Sequence, residues 1–199
     1  APTPGTARLI TEGKIREAVL DALASTGPGD RIDLAMFYLS ERKVVRELVD
    51  AEGRGVRIRV ILDPNRDAFG RQKGGIPNRQ VASELVSRTG DRLSVRWYDT
   101  HGEQFHSKVM IVTDPDSVLV IGGSANFTRR NIGDYNLETN LRLAVPRDAP
   151  LARSVSAYFQ RLFANQGGSY TLPFQAYRDD SLLKKAFYRL QELTGFCSF

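Results

Sequence analysis

The sequence predicts an α/β fold: a mixed, largely parallel sheet sandwiched between helical layers. Two observations carry this. Helical and strand-like apolar patterns alternate through the first half of the chain, and two later strands are joined by a connection too short for a helix. The composition agrees. Of 199 residues, 41% are hydrophobic and 26% charged, which suits a folded domain with a sizeable core and excludes disordered, collagen-like and coiled-coil chains.

Each element follows in order. Ala1-Pro2-Thr3-Pro4-Gly5 has no initiator Met and reads as a linker remnant, so residues 1–10 are expected to be a linker or a processed terminus. A piece cut from a longer chain is the expected origin, with a removed signal peptide as the alternative. Residues 11–199 are expected to form one domain. Ile15, Val19, Ala22 and Leu23 recur at helical spacing and lead into the apolar run Ile32–Tyr38. Val44, Val45, Leu48 and Val49 mark a second helix before the strand Val56–Leu62. A helix over Asn78–Arg88 precedes a strand at Leu93–Tyr98. This βαβ rhythm implies parallel strands. Lys108–Thr113 and Ser117–Gly122 then flank Asp114-Pro115-Asp116, the sequence of an antiparallel hairpin turn. Leu137–Val145 reads as a further strand, and helices near Ala149–Ala164 and Ser181–Leu193 close the chain.

Charge and special residues narrow the function classes. The formal net charge is +5, which favours phosphate-bearing partners without naming them. The loop Asp63–Gln80 gathers Arg66, Arg71, Lys73 and Arg79 around Phe69 and Ile76, either as a solvated connection or as a cationic rim at the carboxyl end of a strand. The single cysteine, Cys197, excludes an internal disulfide. No apolar run approaches the ~18 residues of a membrane span. Metal-site spacing is absent: His101 and His106, the only histidines, lie five apart and no cysteine pair accompanies them. Gly122-Gly123-Ser124-Ala125-Asn126 lacks the last glycine of a nucleophile elbow, and no Walker loop occurs.

The hairpin gathers chemistry. His106 and Lys108, two apart on a strand, point to one face. Centring the turn on Pro115 pairs residues whose numbers sum to about 230 under simple antiparallel register. Position 106 then faces Ser124, and 108 faces Gly122, with Asn126 just beyond. Leu137-Glu138-Thr139 can bring a carboxylate to the same end. An imidazole, a fixed cation, a hydroxyl, an amide and a carboxylate suit attack on a phosphodiester. A His nitrogen can take the phosphoryl group covalently. Lys108, Asn126 and the backbone N–H groups of Gly123 and Ser124 can stabilise its oxygens. A glutamate on the far ring nitrogen would fix tautomer and orientation.

His106-x-Lys108 followed by Gly123-Ser124-x-Asn126 resembles the HKD signature of the phospholipase D superfamily. Leu34-Ala35-Met36-Phe37-Tyr38, Ile76-Pro77-Asn78-Arg79 and Gly102-Glu103-Gln104-Phe105-His106 resemble bacterial phospholipase D-like and cardiolipin-synthase-like proteins in particular. The likeness runs from about Thr11 to Phe199. It implies that His106 is the nucleophile, that Lys108, Ser124 and Asn126 bind phosphate, and that Glu138 backs the imidazole. It also implies catalysis without metal or other cofactor, and a bacterial envelope or peripheral-membrane setting. Two departures stand out. The signature's Asp, five residues after the Lys, is Thr113 here, with Asp114 next to it. The family uses two motifs across a pseudo-twofold axis, whereas this chain carries one, so a second half is expected from a homodimer or from the rest of a longer chain. Three functions remain open: hydrolysis or transphosphatidylation of phospholipids, which the resemblance favours; cleavage of nucleic acid, which would bring salt-steep binding; and a half-domain silent without its partner.

Overall fold

Alternating apolar residues fix the sheet before any site is considered. The computed structural model describes residues 5–68, 71–72 and 74–194. In chain order the elements are β1 (Thr6–Thr11), α1 (Gly13–Ala24), β2 (Arg31–Met36), α2 (Arg42–Gly53), β3 (Arg57–Leu62), β4 (Asp67–Ala68), β5 (Arg71–Gln72), α3 (Asn78–Arg88) and β6 (Leu93–Tyr98). They continue with β7 (Lys108–Thr113), β8 (Ser117–Gly123), α4 (Arg129–Ile132), β9 (Thr139–Pro146), α5 (Pro150–Phe163), β10 (Thr171–Pro173), a 3-10 turn (Phe174–Tyr177) and α6 (Leu182–Thr194). Phe69, Lys73 and Cys197, and the Pro-rich stretch 1–4, lie outside the described residues.

Eight strands form one sheet in the order β1-β9-β8-β7-β2-β3-β6-β10, with β4 and β5 pairing separately. The sheet is mixed, as the sequence implies, but it is not largely parallel. Only β2/β3 and β3/β6 run parallel; the other five pairings are antiparallel. The reason is connectivity. Only α2 and α3 serve as crossovers between parallel neighbours, whereas β7, β8 and β9 each reverse the direction of the strand before, and β10, reached through α5, pairs antiparallel with β6 at the far edge. The expected linker also needs correction, since Thr6–Thr11 pairs with β9 along its whole length.

The strand period sorts side chains into two cores. Ile32, Leu34 and Met36 of β2 and Ile58, Val60 and Leu62 of β3 face the layer containing Ile15, Val19, Val45, Leu48, Leu85 and Tyr188. Ala35, Ile61 and Ile111 face the opposite layer, where α5 contributes Ala152, Phe159 and Leu162. On this second face the fully buried Asp33 carboxylate is paired by Arg59 (2.7 Å) and Arg31 (3.0 Å). The sheet is thus covered on both sides, and its functional end is where β2 and β3 finish and β7 begins. No helix among the described residues is long and apolar enough to cross a membrane.

Candidate active site

The hairpin that presents the site is one residue out of the expected register. Val109 pairs with Gly122 and Thr113 with Val118, so position 108 is level with 123 rather than 122. Asp114 causes the shift. Its carboxylate accepts hydrogen bonds from the Asp116 and Ser117 amides (2.8 and 2.6 Å) and from the Ser117 hydroxyl (2.6 Å), drawing Ser117 into the turn. Thr113, which stands where the signature has Asp, is buried at this turn. Five residues of strand, roughly 17 Å, separate it from Lys108. The departure from the signature therefore falls at the far end of the hairpin.

His106 precedes β7 as an exposed residue, and Lys108 begins the strand with 8% of its surface exposed. Phe37, just past β2, unites them. Its ring centroid lies 4.8 Å from that of His106, the Lys108 ammonium sits 5.1 Å from the same ring, and its N–H donates to the Ser107 carbonyl at 2.7 Å. Lys108 Nζ also donates to the His106 carbonyl at 3.1 Å. Burial, offset in part by the Glu138 carboxylate, pushes the Lys108 ammonium down to about 8. Burial and then the Lys108 charge hold the His106 imidazole below its ordinary value. An imidazole so placed is mostly neutral at pH 7, the form that carries a lone pair for attack.

Ser124 and Asn126 arrive from the other hairpin strand. Asn126 Oδ1 accepts from the Tyr38 amide (3.2 Å), and Phe127 N–H donates to the Tyr38 carbonyl (3.1 Å), so the end of β2 clasps this segment. The turn before it needs glycine. A Cβ on Gly123 would lie 2.3 Å from the Thr139 carbonyl oxygen and 2.7 Å from Asn140 Cα, distances no side chain accommodates. Ser124 N–H donates to Thr139 O (3.0 Å), Ser124 Oγ accepts from Thr139 N–H (3.0 Å), and Ala125 N–H donates to Asn140 Oδ1 (3.1 Å).

Glu138 lies at this end of the sheet, as its position before β9 predicts, but it is engaged differently from the expectation. Ser124 Oγ and Asn131 Nδ2 both donate to its carboxylate. Among the described residues no hydrogen bond joins Glu138 to the His106 imidazole; its electrostatic influence falls on Lys108. Within this chain the carboxylate therefore orders the Ser124 turn and α4. His101, by contrast, is exposed and directed to Asp99 (3.8 Å), away from this cluster.

Several site-shaping residues lie outside the His-x-Lys and Gly-Ser-x-Asn motif. Asp63, 2% exposed after β3, accepts the Phe105 N–H (2.7 Å) immediately before His106. Its other oxygen accepts from the Asn65 amide (2.6 Å), and Asn65 holds a left-handed backbone (φ 48°), a conformation that Asn adopts more readily than most residues. Asn78, fully buried, donates to the Phe37 and Asp63 carbonyls (2.7 and 2.8 Å) and accepts from Leu39 N–H (2.9 Å). These three residues bind the ends of β2 and β3 to the segment that delivers His106. Asp-Pro-Asn directly after an apolar strand and the phrase Ile76-Pro77-Asn78-Arg79 are their traces in the sequence, neither of which gives these residues a role. In the cationic loop, Arg79 is not a free rim cation: its Nε donates to the Pro64 carbonyl (2.9 Å) and its guanidinium stacks 4.9 Å over Tyr177.

Comparisons with known proteins bear on the family and the fold. Residues 19–163 match the family described as cardiolipin synthase, PLD-like domain. No curated protein matches the sequence. Among solved structures, Nuc from Salmonella typhimurium, a phospholipase D family member, superposes with a TM-score of 0.62 at 22% identity, over 82% of this chain and 96% of that one. NucT from Helicobacter pylori gives 0.61 at 16%, over 81% and 97%. Phosphatidylserine synthase from Haemophilus influenzae Rd KW20 gives 0.66 at 15%, over 97% of this chain and 48% of that one. At such identities the superpositions show a shared fold.

Proposed function

The chain belongs to the PLD-like domain family of cardiolipin synthase type, and on that premise we propose that it is a phosphodiesterase working through a covalent phosphohistidine at His106. The observation that carries the reading is the convergence of a depressed imidazole, a buried ammonium and a clasped amide at one end of the sheet. A ring nitrogen of His106 attacks phosphorus, and the P–O bond to the leaving alcohol breaks as that oxygen gains a proton. Water, or an acceptor alcohol, then gives up a proton and attacks the phosphohistidine, breaking the P–N bond and restoring the imidazole. Lys108, Asn126 and the Gly123 and Ser124 N–H groups meet the phosphoryl oxygens as charge builds on them. Glu138 holds Ser124 and balances Lys108. The group that protonates the leaving oxygen must stand opposite His106, and His101 points elsewhere. A second motif, from another copy or from a longer chain, supplies it.

For the substrate we propose phospholipid, hydrolysed or transferred to an alcohol. Leu137 and Tyr135, 88% and 61% exposed, stand within three residues of Glu138 and give the rim an apolar edge suited to a lipid interface. Cleavage of nucleic acid is the competing reading, and the net charge of +5 favours it. Vesicles of phosphatidylglycerol or phosphatidylcholine, assayed beside single-stranded DNA and RNA, separate the two. Release of the headgroup alcohol is expected; nucleic-acid cleavage with no lipid product overturns the choice.

A further inference from the structure

Beside the site lies a concave cleft of about 440 Å3 lined by Arg16, Arg42, Lys43, Arg46, Arg129 and Arg189, with Glu41 as its one carboxylate. It shares no residue with the His106 cluster, so it stands or falls independently of the mechanism above. The two are neighbours nonetheless. Arg129 follows Asn126 by three residues, at most about 11 Å of chain. Phe127 O, between them, accepts from the Ser40 and Glu41 amides (2.8 and 2.9 Å) at the entrance to α2.

Six cations converging on one concavity repel each other, yet the fold holds several of them in place. The buried Glu84 carboxylate accepts from Arg42 (2.6 and 2.9 Å), Arg189 (3.0 Å) and Arg88 (3.3 Å), three guanidinium groups on one negative charge. Arg42 also donates to the buried Tyr188 hydroxyl (3.0 Å), which in turn donates to Ser40 O (3.1 Å). Arg16 is anchored on Glu41 (2.7 Å), while among the described residues its buried Nε–H has no hydrogen-bond partner. Lys43 and Arg46 complete the wall as exposed residues of α2. The result is a set of held and exposed donors with positive charge in excess, the pattern that accepts a small, highly charged oxyanion. Guanidinium forks match the paired oxygens of phosphate. Among the described residues no aromatic ring lines the cleft, so they offer a base no stacking platform there.

We propose that this cleft is a second phosphate-binding site, separate from the phosphate that reacts at His106, which takes the phosphate of an anionic headgroup or free phosphate. The test is residue-resolved NMR of the His106→Ala chain titrated with inorganic phosphate. It is joined by co-sedimentation with phosphatidylglycerol vesicles and, as control, with a short single-stranded oligodeoxynucleotide. Saturable amide shifts at Lys43, Arg46 and Arg129, weakened at least tenfold by Lys43→Glu/Arg46→Glu, are expected if free phosphate is the source. Vesicle binding that the same variant weakens tenfold, without a phosphate response, makes the headgroup the source and equally supports the site. Lys43→Gln/Arg46→Gln repeats both arms should the charge reversal disturb folding. Absence of both responses, or responses untouched by the variants, overturns the proposal. So does binding of the oligonucleotide alone, since a site that needs a run of phosphates is not a site for one.

Discussion

The Asp63 carboxylate accepts a 2.7 Å hydrogen bond from the Phe105 amide, one residue ahead of His106. Two residues 42 apart in sequence are thereby locked together inside the protein, and the His106 imidazole, the proposed nucleophile, follows a backbone segment anchored on a buried carboxylate. Losing a hydrogen bond to a charged group costs about 1.5–3 kcal/mol. Asp63→Ala is accordingly expected to lower kcat by roughly 10–100-fold with little change in KM, and Asp63→Asn, which keeps an acceptor, should restore part of the loss. A matched fall in kcat and rise in KM, or a loss that tracks unfolding alone, would show that Asp63 supports the fold without positioning His106.

His106→Ala removes the proposed nucleophile from an exposed position, so the fold should survive while turnover drops by about 10^3-fold or more. Mass spectrometry of the parent chain, quenched at basic pH after brief exposure to substrate, should place the phosphoryl adduct on His106. An adduct elsewhere, or a fully active variant, contradicts the mechanism.

The two shifted groups predict a bell-shaped dependence of kcat/KM on pH. Attack needs neutral His106, whose pKa is lowered, so the acid limb should rise below the ordinary imidazole range. Charge stabilisation needs protonated Lys108, so the alkaline limb should fall as pH passes about 8. Lys108→Arg should carry the alkaline limb upward, because a guanidinium stays charged there. An alkaline limb that does not move assigns it to another group.

A leaving oxygen that departs opposite His106 ties activity to a second motif. Specific activity measured over a dilution series, beside sedimentation equilibrium, should fall as a dimer dissociates. If the chain is monomeric throughout, adding the remaining half of a longer chain should restore activity. A monomer with concentration-independent activity rules out the two-motif scheme.

Local patterns made much of this protein legible. The apolar alternation of β2, β3 and β6 and the helical spacing in α1 and α2 placed those elements, because period and burial are properties of neighbouring residues. His106-x-Lys108 and Gly123-Ser124-x-Asn126 were legible for a similar reason. A hairpin brings its two strands together by short-range geometry, so even an error of one residue in register left them at the same end. That error came from the Asp114 side chain, whose bonds to Ser117 set the length of the turn.

What lay beyond the sequence depends on contacts between distant segments. The sheet's predominantly antiparallel order follows from where β7 and β9 dock, which no local signal specifies. Glu138 could be placed at the right end of its strand, yet its choice of Ser124 and Asn131 required the β8–β9 turn and α4 to be packed together. Asp63, Asn65 and Asn78 look like ordinary loop and cap residues until β2 and β3 are paired, when burial draws their polar atoms onto one another and onto nearby backbone. The sequence alone determined which groups are proposed to carry the chemistry, because reactive side chains and their near neighbours are written in order. Tertiary structure alone decided how those groups are held, because a buried hydrogen bond exists only once both of its ends have been taken out of water.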